Sequence, residues 1–239
     1  MNRISLKSFV TIISTGRPEN VTAMRKVVGP ATWIVGKGET EAYKNEGAIK
    51  VIEGGGLTES RNLALKLAFA NNLNCIQLSD DLTKIEFVLS KEETKEVNFS
   101  QAVKYMLREL DNSDYKLAGA STTTNLYFFH KAFHYDAFII GDFILVKKCP
   151  LLFDEGLTLK EDYDYTLQHC SIYGGTLRCN RIMPHFKHYS NKGGAVAIRN
   201  TETEQKNIKR LKQKWPKYIR DNPRRENEIL LKWKKDEKD

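Results

Sequence analysis

Within its first 80 residues the chain carries four short apolar runs, each stopped by a glycine-containing turn or by a pair of acids. They are Ser8-Phe9-Val10-Thr11-Ile12-Ile13-Ser14, Ala31-Thr32-Trp33-Ile34-Val35, Ala48-Ile49-Lys50-Val51-Ile52 and Asn74-Cys75-Ile76-Gln77-Leu78. Runs this short and this rich in β-branched residues read as buried strands. Helical stretches lie between them. Pro18-Glu19-Asn20 opens a short helix, with proline at an early position where its missing N–H costs little. Residues 39–45 read as a second helix. Residues 58–71 form the clearest helix, with Thr58 as N-cap and Leu63, Ala64, Leu67, Ala68 and Ala70 sharing a face. Strand and helix repeated with short connections predict an α/β domain with a mainly parallel, Rossmann-like sheet.

After Asp81 the pattern changes. A strand is expected over 84–89, a charged loop over 91–97 and a helix over 99–110. Strand-like runs at 116–121, 125–130 and 137–146 follow without helices between them, which predicts antiparallel additions to the sheet. Residues 159–173 read as a helix ended by Gly174-Gly175, and strand-like pieces surround Pro184. From about residue 202 the chain reads as helical and basic, interrupted by Pro216 and Pro223. A catalytic-size domain over 1–195 with a basic helical extension over 196–239 is the expected organisation.

No run approaches the roughly 18 apolar residues of a membrane span, and Met1-Asn2-Arg3-Ile4-Ser5-Leu6-Lys7 lacks the apolar core of a secretory signal. A cytoplasmic protein is expected. Cys75, Cys149, Cys170 and Cys179 form no C-x-x-C pair, so they read as reduced, inert thiols.

The charge is unevenly placed. Residues 185–239 hold 16 Lys+Arg and 8 Asp+Glu, a net of +8, which is the net charge of the whole chain. The first 184 residues are neutral. A basic segment on a neutral body points to a polyanionic partner, or to a solvated surface helix.

Four constellations are candidates for chemistry. Ser79-Asp80-Asp81 ends an apolar strand, where open α/β sheets bind ligands, and its carboxylates suit a hard divalent ion or, more plainly, a turn. Gly54-Gly55-Gly56-Leu57-Thr58-Glu59-Ser60-Arg61-Asn62 puts glycines and an arginine at a helix start, suited to a phosphate or to an ordinary cap. Lys160-Glu161-Asp162-Tyr163-Asp164 places three acids where the helix dipole favours them, and any of them can serve as a base. Pro184-His185-Phe186-Lys187-His188-Tyr189 offers imidazoles late in the chain. No G-x-G-x-x-G and no G-K-[ST] is present.

The order of these features resembles the GT-A glycosyltransferases over nearly all of residues 8–195. Within that fold the chain is similar to the small glycosyltransferases associated with TET/JBP-type DNA base oxygenases in phages and their relatives. The carrying residues are Ser14-Thr15-Gly16-Arg17, Trp33-Ile34-Val35 with Glu39 and Tyr43, the glycine-rich segment through Asn62, Ser79-Asp80-Asp81, and Glu161-Asp162-Tyr163-Asp164. The resemblance implies a nucleotide-sugar donor, a UDP-sugar, bordered by Thr15, Gly16 and Arg17, with Glu39 and Tyr43 near its base. It implies that Arg61 faces the diphosphate, and that Asp80 lies beside the donor ribose or sugar. Asp81 would hold Mn²⁺ or Mg²⁺, with His188 or His185 as a late ligand. Asp162 would deprotonate the acceptor hydroxyl, with Glu161 beside it and Asp164 as a competitor. One departure stands out: the family's D-x-D puts an acid where this chain has Ser79.

The implied acceptor is a hydroxymethylated pyrimidine such as 5-hydroxymethylcytosine in DNA, flipped out or in a single strand. Lys206, Lys209, Arg210, Lys212, Lys214 and Lys217 would hold the backbone. Trp215, Tyr218 and Trp233 either stack on bases or, as helical aromatics usually do, close a small core. Two other readings remain. The runner-up is a GT-A enzyme acting on a lipid, polysaccharide or protein, with Ile208, Leu211, Trp215 and Ile219 as a membrane-facing stripe that Pro216 interrupts. Alternatively the chain is a non-catalytic nucleic-acid-binding module, a reading that Ser79 keeps open.

Overall fold

A computed structural model describes residues 8–187 and 200–233. The first half follows the expected alternation: β1 (Ser8–Ser14), α1 (Asn20–Val28), β2 (Thr32–Val35), α2 (Thr40–Asn45), β3 (Lys50–Glu53), α3 (Leu57–Ala70) and β4 (Asn74–Ser79). Then come β5 (Leu82–Val88), β6 (Thr94–Glu96), α4 (Phe99–Asp111), β7 (Leu117–Ala120), β8 (Phe133–His134), β9 (Phe143–Val146) and α5 (Glu161–Tyr173). The chain continues through β10 (Leu177–Cys179), β11 (Ile182–Phe186), α6 (Thr201–Lys214), β12 (Ile219–Asp221) and β13 (Ile229–Leu231).

Eight strands form one mixed sheet in the order β3-β2-β1-β4-β9-β7-β10-β8. The strands β3, β2, β1 and β4 are mutually parallel, β9 runs against β4 and β7, and β10 runs parallel to β7. This is a Rossmann-like α/β sheet with antiparallel additions, as the sequence predicts. The apolar runs are continuous because both faces are covered. Ile12, Trp33, Ile76, Phe143 and Leu145 pack on one side with α1 and α4, through Val21, Met24, Val103 and Met106. Ile13, Ile34, Cys75, Ile144 and Val146 alternate to the other side and meet Ala64, Leu65 and Ala68 of α3 and Tyr165 of α5.

Several expectations are corrected. The N-cap of α3 is Gly56, whose N–H donates to Glu59 Oε2 at 2.6 Å, and Thr58 is buried in the first turn. The charged loop contains β6, which extends a small sheet ordered β11-β5-β6. Residues 126–128 form a 3₁₀ turn, not a strand, because the Asn125 side chain accepts from Tyr127 N–H and closes it. Beyond Pro216 the basic extension is not helical. It is the hairpin β12–β13.

Candidate active site

The carboxyl ends of β1 and β4 meet at one edge of the large sheet, with Ser79 paired to Ile13 in register. Asp80 follows Ser79 and is completely buried. Arg17 Nη2 lies 2.8 Å from Asp80 Oδ1, and the Ser14 hydroxyl donates to the same carboxylate. Burial pushes Asp80 up to about 6, while Arg17 and Ser14 pull it down. The turn Thr15-Gly16-Arg17 is tied down from behind. Glu39 accepts from Thr15 Oγ1 at 3.1 Å and from Gly16 N–H at 2.9 Å. Tyr43 Oη accepts from Arg17 N–H at 3.1 Å and lies 2.5 Å from Ser14 Oγ. The Tyr43 side chain is fully buried and its phenol is raised to about 12 by that burial. Glu39 and Tyr43 therefore shape the turn, and Gly16 is its exposed apex.

Arg61 points inward. Its guanidinium donates to Glu161 Oε1 at 3.1 Å, Gln77 Oε1 at 3.2 Å and the Gly141 carbonyl at 3.0 Å, and the residue is 5 % exposed. A buried guanidinium must have its donors met, and protein oxygens meet Nε and Nη1 of this one. The expected diphosphate contact is replaced by a strut joining α3, β4 and α5. The glycines before it also serve internal packing: a Cβ at Gly54 would strike Ser60 and Ile34, and one at Gly55 would strike Glu59.

A carboxylate distant in sequence stands against Ser79. Ser79 Oγ donates to Asp142 Oδ1 at 2.9 Å, and Ser79 N–H donates to the Asp142 carbonyl at 2.9 Å. Asp142 immediately precedes β9, the strand paired against β4. Asp81 is 8 % exposed, and its carbonyl accepts from Lys187 N–H at 3.1 Å. Asp162, in the first turn of α5, accepts from Gly141 N–H at 3.3 Å and from Tyr163 N–H at 3.0 Å. Burial, with the negative charges of Glu161 and Asp142, pushes Asp162 up to about 7 against the pull of Arg61. A cleft of about 340 Å³ opens at this edge, lined by Ser121, Thr122, Asp142, Phe143 and His185 among others.

Of the remaining acids and imidazoles, Asp164 is spent on structure. It receives Lys214 Nζ at 2.8 Å, Trp215 Nε1 at 2.7 Å and Gln168 Nε2 at 2.7 Å, which removes it from competition for the base role. His185 Nε2 lies 2.5 Å from Glu86 Oε2. His188 lies outside the described residues. Among the described residues no group of three or more His, Cys, Asp and Glu is arranged to hold a metal. Asp81 and Asp142, at the end of β4 and the start of β9, carry hard oxygen donors of the kind that Mg²⁺ and Mn²⁺ take.

The basic segment is docked on the body. Ile208, Leu211, Ile219 and Ile229 are buried with Leu157 and Leu167, and Tyr163, Trp215, Tyr218 and Trp233 pack around them. Arg210 and Lys214 pair with Asp154, at 2.8 and 3.3 Å, and Lys212 pairs with Asp221 at 2.5 Å. Of the six expected phosphate contacts, Lys206, Lys209 and Lys217 remain exposed, without an ion pair among the described residues. The apolar stripe required by a membrane-surface helix is buried, and no helix among the described residues is long and apolar enough to cross a membrane. The four cysteines are free thiols, and burial raises Cys75, Cys170 and Cys179.

No family model and no curated protein matches the chain. Among solved structures it is similar to the crystal structure of A197 from STIV, at 9% identity and a TM-score of 0.43, over 94% of this chain and 93% of that one.

Asp142 is the site residue that sequence reasoning missed. It stands 63 positions from Ser79, and only the pairing of β9 with β4 brings them together. The available signal was Gly141-Asp142 directly before the apolar run Phe143-Ile144-Leu145-Val146.

Proposed function

We propose that this protein is a GT-A-type glycosyltransferase that moves a sugar from a UDP-sugar to the hydroxymethyl group of a modified pyrimidine, such as 5-hydroxymethylcytosine, in DNA. The observation that carries this reading is the convergence of Asp142 and Asp162. Asp142 is bonded to Ser79, next to the Asp80–Asp81 pair, and its charge is felt by Asp162. A base candidate and the metal-suited carboxylates thus face one edge.

Each residue has a role in that scheme. The turn Thr15-Gly16-Arg17, held by Glu39 and Tyr43, forms the donor-side wall. Asp80 fixes Arg17 there. Asp162 accepts the proton of the acceptor hydroxyl, and an upward-shifted carboxylate suits that task near neutral pH. Glu161 holds Arg61, which in turn holds the Gly141 carbonyl, while Gly141 N–H donates to Asp162. Asp81 and Asp142 would be the carboxylates to hold a divalent cation, which would supply Lewis-acid stabilisation of the leaving nucleoside diphosphate. Asp142 beside Ser79 also weakens the non-catalytic reading, because a second carboxylate stands where the motif lacks one.

The test is Mn²⁺-dependent release of UDP from a panel of UDP-sugars in the presence of hydroxymethylated DNA. Wild type is expected to release UDP, Asp162→Asn to fall by about 10²–10⁴-fold, and Asp81→Asn to lose its response to Mn²⁺. Equal rates in all three proteins would remove these residues from the chemistry.

A further inference from the structure

Beside the cleft at Asp142 lies a second one of about 290 Å³, and Ser121, Thr122 and Thr123 form the wall between them. Its other side is aromatic. Leu126, Phe128 and Phe129 line it, and Arg178 is the charged residue among its lining groups, with no carboxylate beside it. The 3₁₀ turn at its mouth holds Tyr127 74 % exposed and Phe128 59 % exposed, with ring centroids 5.4 Å apart and planes at 86°. Two large aromatics displayed on one turn, unsupported by the core, are an uncommon use of surface. Phe129 is held by Arg181, whose guanidinium carbon lies 5.6 Å from the ring centroid.

We propose that this aromatic cleft is the acceptor subsite, and that its occupant is an unpaired nucleobase of a single-stranded or locally opened polynucleotide. The inference rests on the transferase reading and names the form in which its acceptor is taken. A planar base fits between Phe128 and the Ser121–Thr123 wall, stacking on the ring face as bases do on aromatic platforms. The adjoining strand meets cations and no acid among the lining groups: Arg178 inside, with the Arg181 guanidinium close by through its bond to the carbonyl of Val88, a lining residue. That charge favours a polyanion over a neutral sugar polymer, which also stacks on aromatic rings. The shared Ser121–Thr123 wall puts the substituent of a stacked base at the border of the cleft that contains Asp142. A base inside a duplex cannot enter a cleft of this size without leaving its stack.

The experiment measures binding of fluorescent single-stranded and duplex oligonucleotides of equal length by anisotropy at low salt. A neutral oligosaccharide serves as competitor. The proteins are wild type, Tyr127→Ala and Phe128→Ala, and thermal melting checks their fold. Both aromatic rings are largely exposed, so the variants are expected to melt with wild type. The single strand is expected to bind more tightly than the duplex, and Phe128→Ala to weaken it about 10-fold. Equal affinity of wild type and both variants, absence of oligonucleotide binding, or displacement by the oligosaccharide would overturn the subsite. The transferase reading fails separately: stacking-dependent DNA binding without sugar transfer would leave the subsite standing and remove the reaction.

Discussion

Asp162 and Asp80 bind protons more tightly in the folded chain than in the unfolded one, because burial raises both. Their contribution therefore makes stability fall as pH rises from about 4 to about 7. Asp154 behaves oppositely. Arg210 holds it down to about 2, so its contribution is complete above about 4 and is lost as pH falls through 2. Three predictions belong to this scale. Asp162→Asn should melt increasingly above wild type as pH is raised from 5 to 8, since it removes a charge that desolvation and the neighbouring Glu161 and Asp142 disfavour. The same residue should impose an acid limb near pH 7 on the wild-type transfer rate, and a flat profile from pH 5 to 8 would contradict its role as base. Arg17→Met should cost about 2 kcal/mol or more at pH 8, where it leaves Asp80 charged and buried, and much less at pH 5. Urea denaturation at the two pH values reads the difference.

At the scale of elements, α5 is the piece that must be held, because its first turn carries Glu161 and Asp162. It starts from Lys160 in the left-handed region, at φ 59°. The segment that docks on it does the holding. Asn207 Oδ1 accepts from Thr158 N–H at 2.9 Å and Leu159 N–H at 3.3 Å, Lys160 pairs with Glu204 at 2.7 Å, and Lys214 and Trp215 reach Asp164. Asn207→Ala strands the buried Leu159 N–H and the partly buried Thr158 N–H and should cost about 1–3 kcal/mol, with a fall in transfer rate at unchanged donor affinity. Chemical denaturation and steady-state kinetics would show it. These contacts explain what the sequence concealed. Basic residues at 210, 212 and 214 read as free phosphate ligands because their acidic partners, Asp154, Asp221 and Asp164, are recognisable only after the chain has folded back. Strand–helix alternation, by contrast, is local, and β1, β4 and α5 were legible from their own residues. The 3₁₀ turn at 126–128 was not, since its apolar sequence matches a strand and only the Asn125 cap decides against it.

For the whole molecule, the net charge of +8 divides into two uses. Part of it fastens residues 200–233 to the neutral body by ion pairs, and part, including Lys206, Lys209 and Lys217, faces solvent. The division expected at 195/196 falls in a stretch outside the described residues, yet the segment beyond shares a buried cluster with Leu157 and Leu167. The two uses separate by mutation. Lys206→Ala, Lys209→Ala and Lys217→Ala should each lower the salt slope of DNA binding by about 1 with no change in melting temperature. Lys214→Ala should lower the melting temperature, because it uncovers the buried Asp164. The central claim, sugar transfer to a hydroxymethylated base, is met most directly by the masses of nucleosides recovered after incubation with Mn²⁺ and UDP-sugars. The account predicts a gain of one sugar on 5-hydroxymethylcytosine, absent from unmodified DNA and absent with Asp162→Asn. Release of UDP with every nucleoside mass unchanged would contradict it.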